Sequence, residues 1–159
     1  MLTIRIDDRL IHGQVVIGWG SHLGLKRLVV ANDEIADNEW ENELMRMAAP
    51  PDVEAQVLTL ADTVRQLAVW QENPEPTMVL LNSFEDLLRL ARLGLSPLDV
   101  NVGGVHFQEG REEILSYLYI NPEERKQVME LAEMGFKLTC QDVPGSPCHS
   151  LRKILEKSS

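Results

Sequence analysis

Short apolar runs alternate with segments of helical period along the whole chain, and this alternation leaves few architectures open. Residues 77–82, Thr-Met-Val-Leu-Leu-Asn, have no polar alternation, which is typical of a strand covered on both faces. Residues 60–71 repeat their apolar positions at helical spacing until Asn73-Pro74 stops the pattern. Strands that alternate with helices predict an α/β fold with a mainly parallel sheet and right-handed connections.

The remaining segments predict further elements of the same two kinds. Strands are predicted at residues 2–6, 26–31, 53–58, 98–102, 114–120 and 136–141, with 114–120 as a less buried or edge strand. Helices are predicted from about residue 13, at 39–49, after a cap at Ser83, and at 122–134 and 150–157. No linker, repeat or low-complexity tract interrupts the 159 residues, so we expect one domain, 1–159.

The first predicted strand runs into a loop with an unusual set of polar residues. Two acids and Arg9 follow the strand, and His12 and Gly13 stand where the helical pattern begins. The first backbone N–H groups of a helix lack partners and lie at the positive end of its dipole, so such a turn suits an anion. An imidazole nucleophile, an anion cradle and a guanidinium together predict phosphoryl transfer through phosphohistidine.

The other polar residues of this stretch have two interpretations each. Asp7 or Asp8 would orient the imidazole or hold Arg5 or Arg9 in place, or else the two acids only cap the turn. Gln14 would donate a hydrogen bond in the site, or else be a solvated residue of the first helical turn. Gly13 would permit close approach of the backbone to the phosphoryl group.

Three loops are candidates for a single site, because ligands of open parallel sheets bind outside the carboxyl ends of the strands. They are the loop 7–12, the loop with Asn82 and Ser83, and the loop with Gly103 and Gly104. Ser83 is predicted mainly as a helix N-cap, with a contact in the site as a second use. His106 follows the glycines and is either a contact of the transferred group or partner, or more simply a structural or surface histidine.

Several function classes are disfavoured by composition and motifs. A net charge of −10 argues against general nucleic-acid binding. No apolar run approaches the roughly 20 residues of a membrane span, and the N-terminus does not resemble a signal peptide, so we expect a cytoplasmic protein. Cys140 and Cys148 are expected to be reduced structural cysteines, without a metal site. Residues 18–24 miss the glycine spacing of a dinucleotide loop, and no Walker lysine is present.

The stretch Arg5-Ile-Asp-Asp-Arg-Leu-Ile-His-Gly-Gln-Val resembles a known phosphorylation-site signature. It is similar to that of the IIB component of the mannose/fructose/sorbose-type sugar phosphotransferase system. Asn32-Asp-Glu-Ile-Ala, Ala48-Ala-Pro and Asn101-Val-Gly-Gly match the same family in order, so the resemblance covers almost the whole chain.

This resemblance implies an open, mostly parallel, about seven-stranded sheet covered by helices on both faces. It implies that His12 takes a phosphoryl group from the phosphohistidine of a IIA domain or protein and passes it to a sugar held by membrane IIC and IID components. The chain would then associate peripherally with that membrane complex and need no cofactor beyond the covalent phosphohistidine. One departure is Gly18, where the family often has a basic residue before the tryptophan.

Two alternatives remain open at this point. One is a regulatory phosphoprotein of the same relay that transports no sugar. The other is a binder of small molecules that uses the same anion loop without covalent chemistry.

Overall fold

A computed structural model describes residues 1–158, so Ser159, the last residue of the predicted domain, lies outside the described part. The strands are β1 Leu2–Ile6, β2 Arg27–Ala31, β3 Glu54–Leu58, β4 Thr77–Leu81, β5 Asp99–Val102, β6 Glu112–Leu115, β7 Leu118–Ile120, β8 Lys137–Cys140 and β9 His149–Ser150. A π-helix, Gln14–Trp19, precedes the α-helices, which are α1 Gly20–Leu23, α2 Asp33–Asp37, α3 Glu39–Met47, α4 Leu60–Glu72, α5 Phe84–Arg92, α6 Pro122–Glu133 and α7 Leu151–Lys157. Within residues 1–158, no helix combines the length and the apolar character needed to cross a membrane.

The main sheet has seven strands in the order β3-β2-β4-β1-β5-β8-β9. Its first six strands pair in parallel, and only β9 runs antiparallel to its neighbour. β1 lies between β4 and β5, and the chain crosses it when it passes from one half of the sheet to the other. The predicted α/β fold with an open, mostly parallel, seven-stranded sheet is therefore confirmed, and the carboxyl end of β1 lies at the switch point.

One predicted strand of the sheet is wrong. Residues 114–120 do not form an edge strand, because a turn at Ser116 and Tyr117 folds them into the antiparallel hairpin β6–β7, a separate two-stranded sheet. Alternating exposure occurs in a hairpin as in an edge strand, so periodicity did not distinguish the two. The seventh strand of the main sheet is β9, whose two residues are too few for any period to show.

Two apolar cores cover opposite faces of the sheet, since alternate residues of each strand point to opposite sides. Ile4 and Ile6 of β1 belong to the core that includes residues of α4, α5, α6 and α7. The other core contains Val15 and Trp19 of the π-helix, packed with residues of β2 and β4. Arg5, between Ile4 and Ile6, therefore points to the side of Trp19, whose ring centroid lies 5.0 Å from the Arg5 Cζ.

Candidate functional site

Arg5 is the fully buried cation beneath the loop that follows β1. Its NH1 donates to the Asn101 side chain and, over 3.0 Å, to the Gln141 carbonyl. Its NH2 donates to the Asp142 carbonyl at 3.0 Å and to Asp7 Oδ2 at 3.2 Å. Burial lowers the pKa of Arg5, although the adjacent Asp7 carboxylate opposes that shift. The guanidinium thus ties the end of β1 to β5 and to the loop after β8.

Asp7 is a fully buried carboxylate that accepts from three directions. Besides Arg5, it accepts from the Arg9 backbone N–H at 3.2 Å, the Arg9 Nε at 3.3 Å and the Gly104 N–H at 3.3 Å. Burial alone would raise the pKa of Asp7, but the contact with His12 and the charge of Arg5 outweigh it and hold the pKa well below its usual range. The carboxylate is therefore ionised and anchors the loop.

His12 lies directly over this carboxylate. Its Nε2 is buried and sits 3.3 Å from Asp7 Oδ2, close enough for an ion pair but without the alignment of a hydrogen bond. Nδ1 has no partner among residues 1–158 and is not one of the buried unpartnered atoms, so it reaches solvent. Leu10 has a positive φ of 60°, which turns the loop back toward Asp7, and its burial at 3% exposure offsets the strain of that conformation.

Arg9 and Gln14 form the exposed side of the cluster. The Arg9 side chain is 35% exposed and shares the Asp7 carboxylate with His12. Its NH2 donates to the Gln14 side-chain oxygen at 2.9 Å. Gln14 is thus an exposed residue of the first helical turn, as one of its two interpretations predicted, and its side-chain oxygen accepts from Arg9.

The two glycines after β5 allow the backbone to pass next to these charges. A β-carbon at Gly103 would overlap the Arg5 guanidinium and lie 2.8 Å from Asp7 Oδ2. At Gly104 it would lie 3.3 Å from Arg9 NH2 and 3.4 Å from His106 Cε1. Gly13 differs, because nothing lies within 4 Å of its missing β-carbon and no side chain caps the helix that starts there. Space next to His12 is therefore open.

Two of the three predicted loops, the loop 7–12 and the loop with Gly103 and Gly104, meet at the site, whereas the third follows the end of β4, the strand that pairs with β1. Asp7 N–H donates to the Leu81 carbonyl at 2.9 Å, but Ser83 is occupied as the N-cap of α5 and accepts from the Asp86 N–H at 3.1 Å. Within residues 1–158, no contact joins the Ser83 side chain to Asp7, Arg9 or His12. The N-cap predicted for Ser83 is confirmed, while its second use in the site remains a prediction.

The loop after β8 belongs to the cluster, and the sequence interpretation missed it. Asp142 accepts through its carbonyl from Arg5 and, at 3.1 Å, from Trp19 Nε1, while Gly18 faces Pro144 of the same loop. The signal was available, because Asp142 follows the strand predicted at 136–141 just as the other polar residues follow theirs. Trp19 is buried.

Asp8 holds His106 instead of the residues around Asp7. Its Oδ1 lies 2.6 Å from His106 Nδ1, and its Oδ2 accepts from the His106 backbone N–H at 2.8 Å. Of the two acids, Asp7 is therefore the one that contacts both arginines and the His12 imidazole.

The described residues contain no cluster of metal-ligand side chains, and both cysteines are free. No group of three or more His, Cys, Asp or Glu side chains that could hold a metal occurs within residues 1–158. Cys140 is buried and burial raises its pKa to about 12, whereas Cys148 is exposed, and both are free thiols.

The family to which this arrangement belongs follows from comparison with known proteins. The family model described as "PTS system sorbose subfamily IIB component" matches residues 1–159. The chain belongs to this IIB family. It is thus a IIB component of a sugar phosphotransferase system, and the resemblance inferred from the motifs is confirmed.

Individual relatives of this IIB protein agree. It is 31% identical to the sorbose-specific EIIB component of Klebsiella pneumoniae over 90% of this chain and 87% of that protein. It is 30% identical to the mannose-specific EIIAB component of Escherichia coli K12, over 96% of this chain but 47% of the relative, so it spans about half of that protein. The crystal structure of the IIBSor domain of the K. pneumoniae sorbose permease superposes with a TM-score of 0.88 at 28% identity, covering 100% of this chain and 98% of that one.

Proposed function

We propose that this IIB protein is a phosphocarrier in which His12 accepts a phosphoryl group from the phosphohistidine of a IIA partner and delivers it to a sugar. The observation that carries the proposal is the placement of the His12 ring between buried Asp7 and solvent. A carboxylate 3.3 Å from Nε2 favours the tautomer with the proton on that nitrogen. The lone pair of a neutral ring is then on Nδ1, the nitrogen that faces the incoming group.

The transfer consists of two displacements at phosphorus. The Nδ1 lone pair forms a new N–P bond, and the N–P bond of the donor breaks with its electron pair returning to the donor imidazole. A sugar hydroxyl then attacks the phosphorus, the bond to His12 breaks with its pair returning to Nδ1, and the hydroxyl proton leaves to solvent or a base of the acceptor. No cofactor or metal is needed in either step.

The surrounding side chains would serve positioning and charge stabilisation, which dominate phosphoryl transfer. Arg9 carries the accessible positive charge nearest the Asp7 carboxylate and would bind the phosphoryl oxygens. Arg5 and Asp7 would hold the loop rigid, and Gln14 would hold the Arg9 guanidinium. Gly13 would leave room for the phosphoryl group, since its β-carbon position is empty.

The partners follow from the family and its relatives. A relative named as an EIIAB component carries the IIA and IIB designations in one protein, which supports a IIA domain as the donor. The acceptor would be a sugar bound by membrane IIC and IID components, with which this protein would associate from the cytoplasmic side. Because each partner must leave after transfer, we expect small, transient interfaces around His12.

The test is phosphorylation of purified protein by phosphoenolpyruvate, enzyme I, HPr and a matching IIA. We expect one acid-labile phosphate by intact mass on the wild type and on the control His22→Ala, and none on His12→Ala. A folded wild type that stays unmodified by two different, demonstrably charged IIA proteins would contradict the proposal. Phosphorylation without transfer to any sugar in the presence of the membrane components would instead support a regulatory phosphoprotein.

A further inference from the structure

The pair of Asp8 and His106 is built with more contacts than a surface histidine requires. Asp8 binds both the ring and the backbone N–H of His106, and its own N–H donates to the Gly104 carbonyl at 2.9 Å. An ionised carboxylate only accepts hydrogen bonds, so Nδ1 of the ring carries a proton. Nε2, on the far side of the ring, has no hydrogen-bond partner among residues 1–158.

The backbone of His106 is also held from the opposite side. Arg111 NH1 donates to the His106 carbonyl at 2.8 Å, and the same guanidinium makes two 2.9 Å bonds to the Glu124 carboxylate. The preceding residue, Val105, is bound between Tyr117 and Tyr119 of the hairpin through backbone hydrogen bonds of 3.0 and 2.9 Å. The 56% exposed ring is therefore fixed in position despite its contact with solvent.

The Cε1 edge of this ring lies beside the Gly104 backbone, next to Arg9 and Asp7. The position of the missing Gly104 β-carbon lies 3.3 Å from Arg9 NH2, 3.4 Å from His106 Cε1 and 3.7 Å from Asp7 Oδ1. A β-carbon at position 104 would therefore lie between Arg9 and His106 and narrow the gap that separates them. The gap borders the carboxylate that contacts His12.

Two electrostatic requirements make this arrangement useful for phosphoryl transfer. The phosphoryl group spreads negative charge over three oxygens, whereas Arg9 already uses Nε for Asp7 and NH2 for Gln14. An unpaired Asp8 carboxylate would also repel that charge. The imidazolium form of the ring would neutralise the Asp8 carboxylate through Nδ1–H and present Nε2–H as a further hydrogen-bond donor.

We propose that His106, as an imidazolium, is a second donor to the phosphoryl group carried by His12, with Nδ1–H bound to Asp8, its positioning residue, and Nε2–H bonding a non-bridging oxygen. This inference rests on the proposed phosphocarrier function. His106 forms no covalent bond and transfers no proton, so the two displacements at phosphorus are unchanged. Its effect is on the rate of transfer and not on which residue is modified.

Two amide substitutions separate the two nitrogens of the ring. His106→Asn keeps a donor near the Nδ1 position for Asp8 but lacks any group at Nε2, whereas His106→Gln reaches the Nε2 position. We expect His106→Asn to slow phosphorylation by IIA by about 10-fold or more, as for loss of one positioned donor to a developing charge, and His106→Gln to retain more of the rate. His149→Asn, a change at another exposed histidine, is the matched control and should transfer at the wild-type rate.

The outcomes separate this inference from the function on which it rests. A wild type that IIA does not phosphorylate refutes the phosphocarrier function. A phosphorylated wild type with His106→Asn at the wild-type rate, or with His106→Gln slower than His106→Asn, refutes only the role of Nε2. As a measurement that needs no variant, the ¹⁵N signal of His106 Nε2 in labelled wild type should shift when His12 is phosphorylated, and an unchanged signal would overturn the contact.

Discussion

The Asp7 carboxylate shows how an acid can stand next to a site for a phosphoryl dianion. Arg5 and Arg9 contact its two oxygens at 3.2 and 3.3 Å, so the three charges sum to one positive charge before the ligand arrives. The cost of burying the carboxylate is offset by these donors and by the Gly104 N–H. A negative residue can therefore orient His12 without repelling its ligand.

Arg9→Lys tests the shape of the cation at this site. A lysine keeps the charge but has a single ammonium, so it cannot donate to Asp7 and Gln14 and also bind phosphoryl oxygens as a planar fork does. We expect phosphorylation by IIA to slow by about 10- to 100-fold, with the free energy of unfolding changed by less than about 1 kcal/mol because the side chain is partly exposed. Quench-flow kinetics and urea denaturation measure the two quantities.

Arg65→Lys on α4 serves as the control for this substitution, since Arg65 is exposed and pairs with Asp62 of the same helix. It should leave both quantities unchanged. An Arg9→Lys variant that transfers at the wild-type rate would show that charge alone suffices.

The segment that follows His12 is a π-helix, whose turns are wider than those of an α-helix. Val15 and Trp19 are its buried residues, and Trp19 reaches the loop after β8 through its indole N–H. Isolated π-helical turns occur frequently at functional sites.

At the start of α5, by contrast, the local sequence determines the structure, since Ser83 caps the helix and two acids occupy its first turn.

Asp86 in that first turn provides a pH test of α5. Burial raises its pKa to about 6, with neighbouring acids adding to the shift and Arg89 opposing it. The folded chain therefore binds the proton more tightly than the unfolded chain, and the free energy of unfolding should fall as the pH rises from about 4 through about 6. Asp86→Asn removes this dependence, so between pH 4 and pH 7 its stability relative to wild type should increase by about 2–3 kcal/mol.

Urea denaturation across this pH range measures the difference. Ser83→Ala is the control, because it removes the cap of the same helix at a cost of about 1 kcal/mol without removing a titrating group. Its offset from wild type should stay constant, and an equally constant offset for Asp86→Asn would contradict the raised pKa.

Across the whole molecule, the site depends on strands that are far apart in the chain but adjacent in the sheet. Arg5 donates hydrogen bonds to Asn101 and Gln141. These two residues reach Arg5 because β5 lies next to β1 and β8 lies next to β5. The crossover of the chain at β1 opens the crevice there, and the loops that border it come from both halves of the sheet.

Replacement of this central cation should therefore affect the entire fold. Arg5→Met leaves the buried Asp7 carboxylate without one of its two arginine partners and the Gln141 and Asp142 carbonyls without this donor, so we expect a loss of about 3–5 kcal/mol in the free energy of unfolding. Arg27→Met on β2 is the matched control, because Arg27 pairs with the exposed Glu54 at 3.3 Å, and it should cost much less. Equal losses for the two variants in urea denaturation would show that Arg5 contributes no more than a peripheral arginine.

Much of the fold could be predicted from residues that act over short distances. The apolar run of β4, the cap at Ser83 and the proline at the start of α6 depend on local sterics and hydrogen bonding, and each element formed where the pattern predicted it. The hairpin at residues 112–120 was not predicted, because a period of two fits several arrangements. The strand β9 was not predicted either, because two residues are too few to have a period.

For the site, the linear sequence supplied its chemistry, since the order of acid, arginine, histidine and glycine after β1 already indicated an anion loop. Folding determined which acid serves which base: Asp7 points inward to Arg5, Arg9 and His12, and its neighbour Asp8 points to His106. The strand order also places Asp142, about 135 residues from Asp7 in the chain, next to the Arg5 guanidinium. Neighbouring residues can encode a turn and a cap, but the direction of a side chain and the partners across a sheet depend on packing between distant segments.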